Sequence, residues 1–141
     1  MEDNALSFQP PEKAALSLLG ENALLERYGL SLTQEQAATL IVHEKQALEE
    51  SGRIEFGEGI QKKLLYAFCD SPFIDQSSLT EALMELTDTF YYYKNESDGF
   101  LSDDELIEAM ARHFNGKAQG SLEYMAETSL GDLLRGLKRL D

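Results

Sequence analysis

The 141-residue sequence has few of the side chains from which catalytic and metal-binding sites are usually built. It contains one cysteine, Cys69, two histidines, His43 and His113, and no tryptophan. A single cysteine excludes an internal disulfide framework and any metal site with several cysteine ligands. Zinc-ligand spacings, glycine loops that cradle phosphate and the nucleophile-elbow motif are missing too. The sequence therefore points away from the common enzyme classes.

Basic residues are also scarce. The sequence has 12 Lys and Arg but 26 Asp and Glu, which gives a net charge of −14. No basic stripe is left to contact phosphates, so we expect no direct binding of nucleic acid or of an anionic membrane. A negative surface suits a basic protein partner or a cation.

Long apolar runs are absent. The longest, "AATLIV" and "LLYAFC", are far shorter than the ~20 residues that cross a bilayer. The N-terminus, "MEDNALSFQPPEK", is acidic and polar, unlike a signal or transit peptide. These features predict a cytoplasmic protein that does not associate with a membrane.

The apolar residues that are present recur at steps of three and four, and few segments alternate as strands do. We predict a flexible arm over residues 1–10 and a single helical domain over 11–141. The predicted fold is all-α, with five to six helices in orthogonal or bundle-like packing. Capping residues and helix-stop residues predict the bounds of the helices. The first is expected at 11–28, with a weak point at Gly20. The others are expected at 33–51, at 59–69, from Asp75 or Ser77 through Tyr93, at 103–115, and from Ser121 with a restart at Ser129.

Residues 94–105, "KNESDGFLSDDE", have the spacing of an EF-hand calcium loop. With Gly99 at the sixth position, the third, fifth and twelfth ligand positions hold Glu96, Asp98 and Glu105. The first position, however, holds Lys94, whose ammonium has no lone pair for a metal. We therefore predict no metal and no cofactor, and keep the three acidic residues as weak metal candidates.

Helix capping explains much of the same loop. Ser102 and Glu105 form the pattern of a capping box, and Asp98-Gly99 is a common turn dipeptide. The sequence thus favours a tight acidic turn between two helices over a calcium site.

The few reactive side chains give a second candidate site, a pocket near Cys69, His43 and His113. Cys69 falls close to an apolar helix face, which is typical of a buried cysteine without catalytic function. The histidines do not show the Glu-x-x-His spacing of di-iron helical proteins. The sequence leans away from an enzyme without excluding one.

The aromatic run Phe90–Tyr93 is followed by Lys94. Four consecutive helical residues cover about 300° of the helix circumference, so they cannot all face one core. Tyrosine has an apolar ring and a polar tip, which suits a protein interface. We predict Tyr91 and Tyr92 as interface candidates.

Four segments, "YAFCDSPFID", "FYYYKNES", "DDELIEAM" and "QGSLEYMAET", together resemble an uncharacterised family of small proteins from Gram-positive anaerobic bacteria. The resemblance covers the chain from about residue 24 to its end, and the family is a domain of unknown function. It implies a bacterial, cytoplasmic protein and supplies no catalytic residue.

The leading hypothesis is a non-enzymatic, acidic protein-interaction module that binds another protein or associates with itself. Three alternatives remain. The first is a cation-responsive helix–loop–helix protein that uses residues 96–105. The second is a small enzyme or ligand-binding protein that uses the pocket named above. The third is a nucleic-acid mimic whose carboxylates imitate phosphates.

Overall fold

A computed structural model describes residues 11–54 and 59–138 of the chain, and these residues form helices joined by short turns. No strand occurs within the two described ranges, so the predicted all-α fold is confirmed. The predicted arm over residues 1–10 lies outside the described residues. The helices are α1 (Pro11–Leu19), α2 (Asn22–Leu25, followed by a 3-10 turn over Glu26–Tyr28), α3 (Gln34–Glu50), α4 (Gln61–Phe68), α5 (Leu79–Glu96), α6 (Asp103–Asn115), α7 (Leu122–Glu127) and α8 (Leu130–Lys138).

Two of the helices begin at the predicted capping boxes. At α3, the Thr33 side chain accepts from the Gln36 backbone N–H, and the Gln36 side chain accepts from the Thr33 N–H. Ser102 and Glu105 form the same reciprocal pair at the start of α6. Each box satisfies two of the backbone donors that a helix start otherwise leaves without partners.

Two predicted helices are each divided, so the structure has slightly more helices than the five or six expected. The first predicted helix stops at Gly20 and resumes at Asn22, whose side chain bonds both the N–H and the carbonyl of Leu32. The last stops at Thr128, which is extended, and Ser129 then accepts from the Asp132 N–H as α8 begins. In both cases a local polar contact fixes the break.

Helices α3 and α5 run side by side in the same direction, and we call them the parallel pair. Side-chain hydrogen bonds join them at their starts, middles and ends, through Ser31 with Gln76, His43 with Asp88, and Ser51 with Asn95. The sequence separations of these three contacts are 45, 45 and 44 residues. A nearly constant separation shows that both helices end at the same end of the molecule.

Helices α4 and α6 run in the opposite direction to the parallel pair. Lys94 near the end of α5 pairs with Asp103 at the start of α6, and Ala82 near the start of α5 lines a pocket with Phe114 near the end of α6, so these two helices are antiparallel. Lys63 pairs with Asp104 near the starts of α4 and α6, and the rings of Phe68 and Phe114 meet edge to face near their ends. The core lies between the four helices and includes Leu40, Leu64, Leu65, Leu83, Leu86, Phe90, Met110 and Phe114.

A candidate binding surface at the end of the parallel pair

The aromatic run on α5 is mostly buried. Phe90, Tyr91 and Tyr93 all lie in the core, because α5 has α3, α4, α6 and α7 around it. Tyr91 is only 1% exposed, so it presents no surface to a partner. This position removes Tyr91 from the interface candidates predicted from the sequence, and Tyr92 remains the candidate from this run.

Tyr92 is the exposed member of the run, at 53%. It lies on α5 between Asp88 and Asn95, and both of these residues contact α3. Residues at spacings of three and four share one side of a helix. Tyr92 therefore lies along the seam of the parallel pair, near its carboxyl end.

Two more apolar side chains extend beyond that end of the pair. Phe100, in the turn after α5, is 90% exposed, and Ile54, after α3, is 75% exposed. The Arg53 guanidinium donates to the Asn95 Oδ1 at 2.8 Å, which brings the segment that carries Ile54 to the end of α5. We call Tyr92, Ile54 and Phe100 together the apolar end surface.

Phe100 and Ile54 did not emerge from the sequence as functional candidates. Both stand in short polar turns, outside any helical apolar stripe, and a single apolar residue in a turn carries no periodicity. The one available signal was an apolar residue directly after "DG" or "GR". Their significance depends on the contact between Arg53 and Asn95, 42 residues apart in the sequence.

Four acidic side chains lie at the same helix ends as the apolar end surface. Glu49 and Glu50 lie in the last turn of α3, Glu96 ends α5, and Asp98 follows it, all four exposed to solvent. The carboxyl ends of both helices add partial negative charge, since the helix dipole carries roughly half an elementary charge at each end. The surface therefore combines apolar contact area with negative charge.

Lys94 folds into the turn that resembles a calcium loop. Its side chain is only 13% exposed, and its Nζ lies 2.7 Å from the Leu101 carbonyl oxygen and 2.8 Å from Asp103 Oδ1. The ammonium thus supplies an internal positive charge to the turn. An isolated buried ammonium is unfavourable, and these two oxygen partners compensate for its lost hydration.

The three weak metal candidates do not form a ligand set. Glu96 belongs to α5 and is exposed, as is Asp98, and the Glu105 side chain accepts from the Ser102 N–H. In the part of the chain that the structure describes, no group of three or more His, Cys, Asp or Glu residues is placed to hold a metal ion.

Cys69, His43 and His113 each have separate partners. The buried Cys69 Sγ lies 4.0 Å from the Tyr66 carbonyl oxygen, and His43 Nε2 lies 2.9 Å from Asp88 Oδ1. Burial, together with the neighbouring Asp70 charge, raises the pKa of the Cys69 thiol, which keeps it protonated at neutral pH. Among the described residues, no hydrogen bond joins Cys69 to either histidine.

His113 lies at the junction of α7 and α8. Its Nε2 lies 3.0 Å from the Thr128 Oγ1, and its ring lies 5.7 Å from that of Tyr124. Burial, assisted by the Lys117 charge and opposed by Asp132, lowers the pKa of His113. The imidazole is therefore a neutral structural contact at pH 7.

Tyr93 reaches the same junction from α5. Its buried hydroxyl donates to the carbonyl oxygens of Met125, at 2.8 Å, and Thr128, at 2.6 Å. Burial, with a smaller contribution from Tyr92, raises the pKa of Tyr93 to about 12. The Met125 carbonyl also accepts from the Thr128 N–H, so the neutral hydroxyl adds a side-chain donor where α7 ends.

Two open grooves lie elsewhere on the molecule. One, of about 330 Å³, follows α3 and is lined by residues that include Val42, His43 and Met84. The other, of about 380 Å³, lies between α4 and α6 and includes Tyr66, Ile107 and Ala111. Both linings are mainly apolar, and neither includes Cys69 or His113.

Among the described helices, none is both long enough and apolar enough to cross a bilayer.

The structure thus defines an acidic, all-α protein whose two most exposed large apolar side chains, within the described ranges, lie at one end of a parallel helix pair. The chain belongs to a family of unknown function, DUF6323, whose family model matches residues 17–140. This match confirms that the chain belongs to an uncharacterised family, as its sequence resemblance indicated. No curated protein and no solved structure matches the chain.

Proposed function

We propose that the protein is a non-enzymatic, cytoplasmic interaction module that binds another protein through the apolar end surface. The observation that carries this proposal is the exposure of Phe100, at 90%, and Ile54, at 75%, at one end of the molecule. Burying apolar area contributes about 25 cal/mol per Å², so an aromatic and an aliphatic side chain at the centre of an interface favour association.

The state of the reactive side chains supports a non-enzymatic role. The Cys69 thiol is buried and protonated, and the two histidines contact Asp88 and Thr128 on neighbouring elements. A nucleophile needs a base within hydrogen-bond reach, and Cys69 has no histidine there in the described structure. The cation-responsive alternative loses support because Lys94 already provides the positive charge in the acidic turn.

The charge of the surface favours a different protein over a second copy of this chain. In a two-fold symmetric dimer the same patch meets itself. Glu49, Glu50, Glu96 and Asp98 would then approach the same carboxylates of the other copy, and like charges at an interface oppose association.

A matched pair of double variants tests the proposal. Phe100→Ser with Ile54→Ser removes the apolar end surface, whereas Leu16→Ser with Val42→Ser removes two exposed apolar side chains elsewhere. Both should keep the wild-type helical circular dichroism, because all four side chains are exposed. Each protein is used to capture partners from a lysate of the native host with chemical crosslinking, and the partner identified is then purified for affinity measurement.

We expect the wild type and the Leu16/Val42 control to bind the same purified partner with similar affinity. The Phe100/Ile54 variant should bind it at least ~10-fold more weakly, which corresponds to ~1.4 kcal/mol. A wild-type protein that captures nothing, or a partner that binds the Phe100/Ile54 variant as well as the control, would refute the proposal.

A further inference from the structure

We infer that the partner presents a basic amphipathic helix to the apolar end surface. Its apolar side chains would contact Tyr92, Ile54 and Phe100, and its Lys and Arg side chains would reach the carboxylates around them. This inference rests on the proposed function, and it specifies the chemistry of the partner.

The carboxylates around the surface are available for such a partner. Within residues 11–54 and 59–138, no ion pair engages Glu49, Glu50, Glu96 or Asp98. The carboxyl ends of α3 and α5 lie side by side, so both helix dipoles add to the negative potential at this end of the molecule. A positively charged segment would be attracted to this end of the molecule and would associate faster than a neutral one.

The nearby cations do not cancel this charge. The Lys94 ammonium is withdrawn into the turn, where it contacts the Leu101 carbonyl and Asp103. The Arg53 guanidinium, beside Ile54, donates to the Asn95 side chain. Four exposed carboxylates therefore outnumber it.

A helix also suits the way the apolar side chains are distributed over two neighbouring helices. Tyr92 lies on α5, and Ile54 and Phe100 follow α3 and α5. The axes of two packed helices are typically about 8–10 Å apart. An amphipathic helix presents apolar residues at steps of three and four along one face, with charged residues on its flanks. Phosphate-bearing partners are disfavoured, because the same carboxylates would repel their charge.

Three synthetic peptides of about 18 residues, long enough for roughly five helical turns, serve as probes. The first is a Leu/Lys peptide with one apolar face, the second has the same composition in scrambled order, and the third replaces every Lys with Glu. Fluorescence anisotropy at physiological ionic strength should show the first bound at least ~10-fold more tightly than the second. The third should show no binding. Equal binding of the first two peptides would contradict the inference.

Variants then locate the binding on the protein. Phe100→Ser with Ile54→Ser should weaken binding of the amphipathic Leu/Lys peptide by ~10-fold or more. Glu96→Lys with Asp98→Lys should weaken it similarly and reduce its dependence on salt. Glu35→Lys with Glu123→Lys makes the same change in net charge on other exposed surfaces and should alter the affinity by less than ~3-fold, less than 1 kcal/mol. If this control weakens binding as much as the Glu96/Asp98 variant, overall charge explains the binding and the inference fails.

The peptide also separates this inference from the proposed function. A captured partner that depends on Phe100 and Ile54 should be displaced by the Leu/Lys peptide. If it depends on those residues but is not displaced, the proposed function stands and the inference is wrong. If neither the partner nor the peptide depends on Phe100 and Ile54, both are wrong.

Discussion

The hydroxyl of Tyr93 lies 2.6 Å from the carbonyl oxygen of Thr128, and this hydrogen bond joins α5 to the break between α7 and α8. The same hydroxyl also donates to the Met125 carbonyl. A buried side chain on the central helix thus holds the C-terminal helices in place. Two backbone carbonyl oxygens at this break therefore accept from one phenolic hydroxyl.

Replacing Tyr93 with Phe should therefore destabilise the protein. The ring remains, but the part-buried Thr128 carbonyl loses its side-chain donor, whereas the Met125 carbonyl keeps the Thr128 N–H. The cost of an unsatisfied buried group is about 1–3 kcal/mol. We expect the free energy of unfolding, measured by urea denaturation, to fall by about this amount. Tyr92→Phe on the neighbouring exposed residue is the control and should stay within ~0.5 kcal/mol of the wild type. Equal effects of the two substitutions would contradict the structure.

His113 should make the protein less stable as the pH falls below neutral. Its pKa is lowered in the folded state, so the unfolded chain binds a proton more readily once the pH drops to the ordinary value of 6.5. The free energy of unfolding should therefore decrease from about pH 7 down through the folded pKa of His113. His113→Gln should make this decrease shallower between pH 7 and pH 5, relative to the wild type.

Lys117→Met provides an independent check on His113. Removing the positive charge beside the imidazole should move the pKa of His113 back toward its ordinary value. The decrease in stability below pH 7 should then be smaller than in the wild type, with the imidazole still present. A pH dependence unchanged by both substitutions would show that carboxylates alone produce it.

Lys94→Met should destabilise the turn between α5 and α6. The substitution removes the hydrogen bond to the Leu101 carbonyl and leaves the partly buried Asp103 without its partner. Hydrogen bonds to charged groups contribute about 1.5–3 kcal/mol, so we expect a loss in that range by urea denaturation. Lys63→Met breaks the more exposed pair with Asp104 and should cost no more than about 0.5 kcal/mol.

Lys94→Asp, which restores the first ligand position of an EF-hand, should bind no calcium at millimolar ion. Residue 94 and Glu96 lie within α5, and the Glu105 side chain is engaged in the capping box. The remaining carboxylates do not surround a common point. Isothermal titration calorimetry should show no binding heat, and the melting temperature should not respond to calcium. A saturable heat would mean that the turn rearranges into a calcium loop.

The glycines at 59 and 99 should respond differently to alanine. Both have positive φ, which costs a non-glycine residue roughly 1–2 kcal/mol. A Cβ at Gly59 would also overlap the carboxylate of the buried Glu44, whereas a Cβ at Gly99 would meet no atom within 4 Å. Gly59→Ala should therefore lower the free energy of unfolding by at least ~1 kcal/mol more than Gly99→Ala, because overpacking adds to the strain. Similar losses for the two would show that Glu44 moves aside freely.

Local signals predicted the individual helices well. Helix α6 has the predicted bounds of 103–115, because a capping box and an Asn-Gly stop define both ends within the sequence itself. The restart at Ser129 was likewise visible, since the capping residue stands close to the helix that it starts. Capping is a property of a few adjacent residues, so no knowledge of tertiary structure is needed to find it.

The arrangement of the helices could not be predicted in the same way. Periodicity shows which side of α5 is apolar but not which helix covers it, and Tyr91 is buried because four helices surround α5. The parallel direction of α3 and α5 depends on contacts such as His43 with Asp88, 45 residues apart. The apolar end surface was missed for the same reason, because Ile54 and Phe100 become neighbours of one surface only after these helices align.

The parallel pair has a consequence for when the proposed binding surface can form. Ser51 and Asn95 meet across 44 residues of chain, and the whole of α4 lies between them. A growing or truncated chain that stops before the end of α5 therefore contains Ile54 but not the complete apolar end surface. Recognition would then depend on complete folding, unlike recognition of a short linear motif. In turn, a partner present at 100 times its dissociation constant would stabilise the folded state by about 2.7 kcal/mol.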